Sequence, residues 1–505
     1  MVRWLLGALG ILVFLAPLSA AADRVTALPA ATVAKLPRWR GFNLLDKFQQ
    51  DNQRPFREKD FRIIQELGFN AVRLPMDYRC WIKAKDWRSF SEATFQDIDQ
   101  AVAWGKQYGI HVMINFHRAP GYTVATPPEA QSIWKDAEAL EVCALHWRTF
   151  AKRYQGISNA RLTFDLMNEP AHIDSPTYAR VAKVLIEAIH KEDPQRLVIA
   201  DGLDFGRIPC PELIGWVAQS LHCYDPFSVT HYRASWVPGS DRMPLPAWPL
   251  TKGDGLLAGP NKKNIHGPLR CDGPFPTAVR LRLKVDRVSD RAHLVVKAGN
   301  ALLWEHEFVC GPGDGEWKQA VYKPKYKLYQ NIYERDYTCI IPAGTTSISI
   351  LNDSGDWLQL SELGLRDLDE AARETTVALE GNWKNQPAAL QVARKNGTWI
   401  FNGGTLTQDR NWIKSQVMAP WLELKSKGVG VVIGEFGALN KTPHDVVLRW
   451  MEDNLANWKE AEWGWLLWEF RGGFGILDSE RSDVMYEDFH GHKLDRRMLE
   501  LLQKY

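Results

Sequence analysis

Two short apolar runs in this 505-residue chain each end in a glutamate. The first is Leu162-Thr163-Phe164-Asp165-Leu166-Met167-Asn168-Glu169-Pro170, and the second is Val429-Gly430-Val431-Val432-Ile433-Gly434-Glu435-Phe436-Gly437. A carboxylate at the end of a buried strand is costly to place there without a purpose. Two carboxylates carried into one cleft can serve as acid and nucleophile, the pair that glycosidic bond cleavage needs. Everything then turns on which elements could bring two such distant positions together.

Outside one long interruption the pattern alternates strand and helix. Apolar strands are expected over 41–45, 70–74, 111–116, 161–167, 196–200, 220–223, 429–433 and 463–468. Amphipathic stretches with apolar residues at three- and four-residue spacing lie over 58–67, 95–108, 137–154, 178–191, 412–427 and 444–458, and 494–502 closes the series. Eight strand–helix units predict an α/β fold, a (β/α)8 TIM barrel. A doubly wound open sheet is the rival, but no Gly-rich phosphate loop follows any strand.

The interruption reads differently. Ala278-Val279-Arg280-Leu281-Arg282-Leu283-Lys284-Val285 alternates apolar and charged residues, as do 294–297, 302–309 and 347–351, with turns at Gly299-Asn300, Pro312-Gly313 and Pro342-Ala343-Gly344. This is the period of half-exposed antiparallel strands. The expected organisation is a signal peptide over 1–22, barrel over 23–236, an inserted antiparallel β-sandwich over 237–369 in the loop after strand six, and barrel again over 370–505. Residues 370–411 are expected to lead back through mixed strand and loop. The insert is either a carbohydrate-binding module, with Trp304, Trp317 and Trp357 as platforms, or a structural wall with those rings in its core.

Composition bounds the partners. Apolar residues make up 45% and charged residues 24%, ordinary for a folded globular protein, and the formal charge of +2 gives no reason to expect a nucleic-acid partner. The 22 Trp are unusual; some belong to helix packing and the rest could offer flat faces to sugar rings. Arg3, the apolar run 4–18 and Ala20-Ala21-Ala22 read as an export signal, too short and too Pro-broken to span a bilayer. The expectation is a secreted or periplasmic monomer with no membrane partner after signal cleavage. Export permits disulfides, but the seven Cys leave at least one thiol unpaired; a bridge among Cys271, Cys310 and Cys339 is one option. No Cys-x-x-Cys pair occurs, so neither a zinc site nor any other metal or cofactor is expected.

In such a barrel the strand C-termini form the active-site face. Polar residues collect there: Arg73 on strand two, His117 on three, Asn168 and Glu169 on four, His222 and Tyr224 on six, Glu435 on seven, Trp468 and Glu469 on eight. Several segments together carry a resemblance: Asn70-Ala71-Val72-Arg73-Leu74-Pro75, Ile114-Asn115-Phe116-His117, Leu166-Met167-Asn168-Glu169-Pro170, Ser220-Leu221-His222-Cys223-Tyr224, Ile433-Gly434-Glu435-Phe436-Gly437 and Leu467-Trp468. In this order they resemble family 5 glycoside hydrolases, the cellulase-like barrels of clan A. The resemblance spans the chain from about residue 40 to the C-terminus, leaving out the insert.

The resemblance implies a retaining double displacement on a polysaccharide or oligosaccharide, a β-1,4-glucan first, with β-mannan or β-1,3-glucan as alternatives. It implies Glu169 as acid/base and Glu435 as nucleophile, with Arg73 and Tyr224 holding the nucleophile. Asn168 would bind the 2-hydroxyl, His117 and His222 would bind hydroxyls or orient carboxylates, and Trp468 would floor the reacting sugar. Asn43 and Asp46 could also touch substrate. The loops Arg118-Ala119-Pro120-Gly121-Tyr122 and 471–478, with Arg481 and Asp483, depart from the family pattern and leave sugar and linkage open. A non-catalytic polysaccharide-binding scaffold and a metal-dependent barrel hydrolase are the competing classes; the second would want His-x-His at strand one, where Asn43 stands instead.

Overall fold

The computed structural model describes residues 28–505 apart from 244, 261–266, 370–373, 382, 384–386, 396 and 405. The expected signal peptide over 1–22 lies outside the described residues. Eight parallel strands make up the first sheet together with the short antiparallel Tyr122–Thr123: β1 (Arg40–Asn43), β2 (Ala71–Asp77), β3 (His111–Ala119), β4 (Leu162–Asp165), β5 (Val198–Asp201), β6 (Ala218–Cys223), β7 (Val431–Phe436) and β8 (Gly464–Leu467). Each pairs with its neighbour in sequence, and β8 pairs back to β1 at Gly41↔Leu466, closing a (β/α)8 barrel.

Seven helices follow the strands: α1 (Glu58–Glu66), α2 (Glu92–Tyr108), α3 (Ala137–Arg153), α4 (Ser175–Glu192), α5 (Ala419–Ser426), α6 (His444–Glu460) and α7 (Arg496–Lys504). Only the β5 connection has no long helix; the short turns Leu203–Gly206 and Pro211–Leu213 stand in its place. Local chemistry sets several ends. Asp136 caps α3, Asp174 caps α4 and Asp495 caps α7, each accepting backbone N–H bonds of the first turn. Gly109 ends α2 at φ 66, a left-handed position where glycine carries no side-chain penalty.

Alternation along the strands builds the barrel interior in layers. A lower, apolar layer joins Ala71, Met113, Ile199, Ala218, Val432 and Leu466. Two residues further along four of these strands the inward positions become polar: Arg73, Asn115, Asp201 and Ser220, all buried, and β4 adds buried Asp165 at its end. The change from oil to charge inside one barrel marks its working mouth. Many of the Trp serve packing, since nine of the 22 are among the largest fully buried side chains.

The second sheet has twelve strands and branches. Two long strands, Val279–Ala298 and Thr345–Asp367, pair antiparallel at its centre, and inward Leu281, Leu283, Val285, Leu363 and Leu365 join one core. Pairing does not stop at 369. Thr375–Glu380 pairs with Leu250–Asp254 and with Thr345–Asp367, and Leu390–Lys395 pairs with Leu269–Phe275. The stretch expected to lead directly back to the barrel therefore belongs largely to this sheet, because Val377, Leu379, Leu390 and Val392 alternate into the same core. The chain rejoins the barrel at Asp409, whose side chain caps the helical turn before α5.

All seven cysteines are unpaired, so the option of a bridge among Cys271, Cys310 and Cys339 is not realised. Cys271 and Cys339 sit as small apolar side chains in the core of the second sheet. Among the described residues no helix is long and apolar enough to cross a membrane.

Candidate active site

The barrel mouth gathers the polar side chains named from sequence. Arg73, fully buried on β2, uses its planar fork in several directions at once. It donates to Glu435 Oε1 at 2.6 Å, to Asp165 Oδ2 at 2.8 Å, to Asn168 Oδ1 at 2.9 Å and to Asn43 Oδ1 at 3.2 Å, and it lies 3.4 Å from Asp201 Oδ2. A guanidinium presents five donors in a fixed plane, so these contacts fix Glu435 and Asn168 relative to each other. Tyr224 donates to the second oxygen of Glu435 at 3.1 Å.

His222 stands between the two glutamates. Its Nδ1 is 2.9 Å from Glu169 Oε1 and 3.6 Å from Glu435 Oε2, and its Nε2 is 3.1 Å from Asp201 Oδ2. One ligand atom from each of Glu169, His222 and Glu435 lies within 4.8 Å of the other two. Burial opposes a charge on His222, but Asp201 and Glu435 outweigh it and hold its pKa well above the ordinary imidazole range. With Arg73, these contacts make the cluster a buried ion-pair network.

Two glycines make room for this histidine. A Cβ on Gly206 would fall 2.7 Å from His222 Cβ, and one on Gly434 would fall 2.3 Å from Ser220 Oγ and 3.0 Å from His222 Nε2. The glycine immediately before Glu435 is thus required first by Ser220 and then by the histidine that bridges the two acids.

Glu169 sits just past β4 with φ 51, a left-handed conformation that costs a non-glycine residue about 1–3 kcal/mol. Two contacts hold it there. Tyr122 donates to the Glu169 carbonyl at 2.7 Å, and the Glu169 N–H donates to Asp201 Oδ2 at 3.1 Å. Burial pushes the Glu169 carboxyl above its ordinary pKa; the His222 charge pulls against this and the Glu435 carboxylate adds to it. Asn168 gives its oxygen to Arg73, which leaves its buried Nδ2 without a partner and available as a donor.

The remaining residues line the mouth. His117 is buried against Phe48 and Trp468, ring centroids 4.4 and 5.7 Å away, and burial next to Arg73 keeps its imidazole neutral. Trp468 is half-buried beside Phe48. Asn43 does not face the cleft: its amide donates to the Gly434 carbonyl at 3.0 Å, inside the barrel. Asp46 is buried and ion-paired with Arg54 at 2.6 Å. Both are thus engaged in contacts within the protein. Arg481 donates to the Ala438 and Thr442 carbonyls and so ties down the loop after β7.

Three side chains passed over in the sequence reading prove central. Asp201 is held down to about 2: burial resists its charge, and His222 and Arg73 prevail. Asp165, beside Arg73, is pushed up to about 7 by burial and by Asp201. Tyr122 bridges the turn carrying Glu169, accepting from the Ala171 N–H at 2.9 Å while donating to the Glu169 carbonyl.

A closed barrel whose mouth joins two carboxylates through a charged histidine defines the class of a glycosidase-type (β/α)8 barrel. Residues 31–237 match the family model Cellulase (glycosyl hydrolase family 5), which supports a catalytic domain of that kind in this part of the chain. Endoglucanase C of Acetivibrio thermocellus is 27% identical over 187 residues, 35% of this chain and 53% of that protein. Cellodextrinase A of Ruminococcus flavefaciens is 28% identical over 193 residues, 36% of this chain and 55% of its own length. A solved structure titled as a glycoside hydrolase is 27% identical, superposes with a TM-score of 0.59, and covers 92% of this chain and 99% of its own. The chain spans about half the length of the curated relatives it matches.

Proposed function

We propose that this chain is an exported, monomeric, retaining glycoside hydrolase that cleaves β-1,4-glucan internally, with Glu435 as nucleophile and Glu169 as acid/base. The observation that carries the reading is the proximity of these carboxylates, joined within 4.8 Å through His222. Retaining chemistry requires carboxyl groups about 5–5.5 Å apart, whereas inverting enzymes leave room for a water between them. The names of two relatives, an endoglucanase and a cellodextrinase, support a β-1,4-glucan. Export rests on the N-terminal residues 1–22.

The steps follow from the contacts. Glu435, held in plane by Arg73 and Tyr224, attacks the anomeric carbon as the glycosidic bond breaks. His222 donates to Glu169 Oε1, so the acid proton sits on Oε2, and it passes to the departing oxygen. A glycosyl ester on Glu435 results. Water then gives a proton to Glu169 and its oxygen to the anomeric carbon, and Glu435 leaves as carboxylate. The free Nδ2 of Asn168 donates to the 2-hydroxyl as positive charge develops on the sugar, and Trp468 lies under the ring. His117, neutral, binds a hydroxyl without adding charge.

The test is a panel of soluble β-1,4-glucans, mixed-linkage and β-1,3-glucans, mannans and xylans, with NMR of the first product. Oligomers of several lengths with the β-configuration at the new reducing end are expected from β-1,4-glucan. A first product with the α-configuration overturns the mechanism, and preferential turnover of mannan or β-1,3-glucan overturns the substrate.

A further inference from the structure

We propose that the second sheet carries a separate binding groove for a β-glucan chain, formed around Trp383, Tyr326 and Arg287. The choice of glucan as ligand rests on the activity proposed above; the groove itself rests on the packing described here.

Three neighbouring strands supply the floor. Arg287 on Val279–Ala298 pairs directly with Gln359 on Thr345–Asp367, and Ser289 pairs with Trp357 on one side and Gln330 on the other. Side chains two apart on a strand share a face, so these residues form one patch across three strands. The groove above them has a volume of about 720 Å³, within the range of small-molecule sites.

Two aromatic rings are among its lining. Trp383 stands edge-on against buried Trp357, centroids 5.4 Å apart at 85°, while 47% of the residue stays exposed. Tyr326 rises from the turn joining Tyr322–Lys323 to Leu328–Ile341 and is 58% exposed. Large aromatic rings held rigid and exposed offer flat apolar faces at little entropic cost on binding. Trp304 and Trp317, open from sequence to either a platform or a core role, pack against the core of the sheet.

Polar groups complete the recognition chemistry. Arg287 Nε is buried and lacks a hydrogen-bond partner, although buried donors are nearly always satisfied. The amide of Gln359 and the carboxylate of Asp356 line the same groove. Aromatic faces with a guanidinium, an amide and a carboxylate suit a chain of hydroxyl-bearing rings, whose C–H faces stack while their hydroxyls both donate and accept.

The experiment uses the full chain carrying Glu435→Gln, so that glucan is bound without being cut. Native electrophoresis through gels containing hydroxyethylcellulose or mixed-linkage β-glucan compares this parent with Trp383→Ala/Tyr326→Ala and with Tyr326→Ala alone. Tyr326 lies on an exposed turn, which keeps a folded variant in the test. Loss of a stacking ring should weaken retardation by about fivefold, more for the pair, because two linked sites bind one chain with avidity. In the active background the same variants should turn over an aryl β-cellobioside at the parental rate and hydrolyse polysaccharide more slowly. Parental retardation by both folded variants overturns the groove, whatever the catalytic result. Groove-dependent retardation in a protein that cleaves no glycoside keeps the groove and overturns the catalytic reading.

Discussion

Tyr122→Phe removes one oxygen atom and asks how the acid is held. Tyr122 is buried, and its hydroxyl donates to the Glu169 carbonyl at 2.7 Å and accepts from the Ala171 N–H at 2.9 Å. Phenylalanine keeps the ring and leaves both backbone groups without this partner. Each bond is worth about 0.5–1.5 kcal/mol net, so the pair is worth about 1–3 kcal/mol. The left-handed backbone of Glu169, at φ 51, costs a similar amount, about 1–3 kcal/mol, so the substitution is large enough to let the turn relax. Expressed wholly in the position of the acid, the loss is about 5- to 150-fold in kcat/KM. The assay compares an unactivated cello-oligosaccharide with a dinitrophenyl cellobioside, whose leaving group departs without a proton. In kcat/KM, which reports glycosylation and not the later step in which Glu169 is the base, the deficit should appear on the first substrate and nearly vanish on the second. Equal deficits on both, or parental kcat/KM on the oligosaccharide in a variant whose melting temperature falls, would refute the positioning argument and leave Tyr122 a packing residue.

Glu435→Gln should abolish turnover while leaving oligosaccharide binding, measured by calorimetry; persistent turnover removes Glu435 from the nucleophile role. Glu169→Ala should lose most activity on unactivated glycosides and retain more on the dinitrophenyl substrate. Because burial raises the Glu169 pKa and the protonated form is the active one, activity on oligosaccharides should fall as pH rises through that value, and this alkaline limb should be absent when Glu169→Ala is assayed on the dinitrophenyl substrate. Asp201 is depressed to about 2 in the folded protein, so its stabilisation is fully present above the unfolded value of about 3.9 and is lost as pH falls towards 2. Asp201→Asn should therefore lose on the order of 2 kcal/mol at neutral pH and flatten the acid limb of the stability profile, as read by denaturant titration between those pH values.

The barrel was legible because strand–helix alternation and polar strand ends are both local signals. The interior charge network was less so. Strand five was read as ending at Ala200, one residue short of Asp201, because no apolar periodicity marks where a strand stops inside a barrel. Asp165 sat in plain view within an apolar run, but the search favoured the residue at its end, Glu169. The period-two rule would have found both: Ile199 and Asp201 point inward together, as do Thr163 and Asp165, level with Ala71 and Arg73. Tyr122 gave no such signal, since its role depends on a backbone conformation that only coordinates reveal. In the second sheet, alternation identified the strands over 279–285 and 347–351 but could not say where pairing ended. The strands after 370 are short, and besides near neighbours they take partners more than a hundred residues earlier.

The charge balance of the mouth bears on how one glutamate can serve first as acid and then as base. Two cations, Arg73 and His222, lie among four carboxyl groups, Asp165, Glu169, Asp201 and Glu435. Burial and mutual repulsion push Asp165 and Glu169 towards the protonated form, and Asp201 remains ionised. With Glu435 ionised as nucleophile, two negative charges then meet two positive ones. Formation of the glycosyl ester erases the Glu435 charge while Glu169, its proton gone to the departing oxygen, becomes the carboxylate that balances the second cation. It also removes one of the two carboxylates that raise Glu169, while His222, the group that lowers it, stays in contact at 2.9 Å. Both changes favour ionised Glu169, the base that the second step requires. On this account the cation between the glutamates is what makes the reversal spontaneous: a neutral isostere such as His222→Gln should slow deglycosylation more than glycosylation, and a burst of dinitrophenol ahead of slower steady turnover is the expected sign.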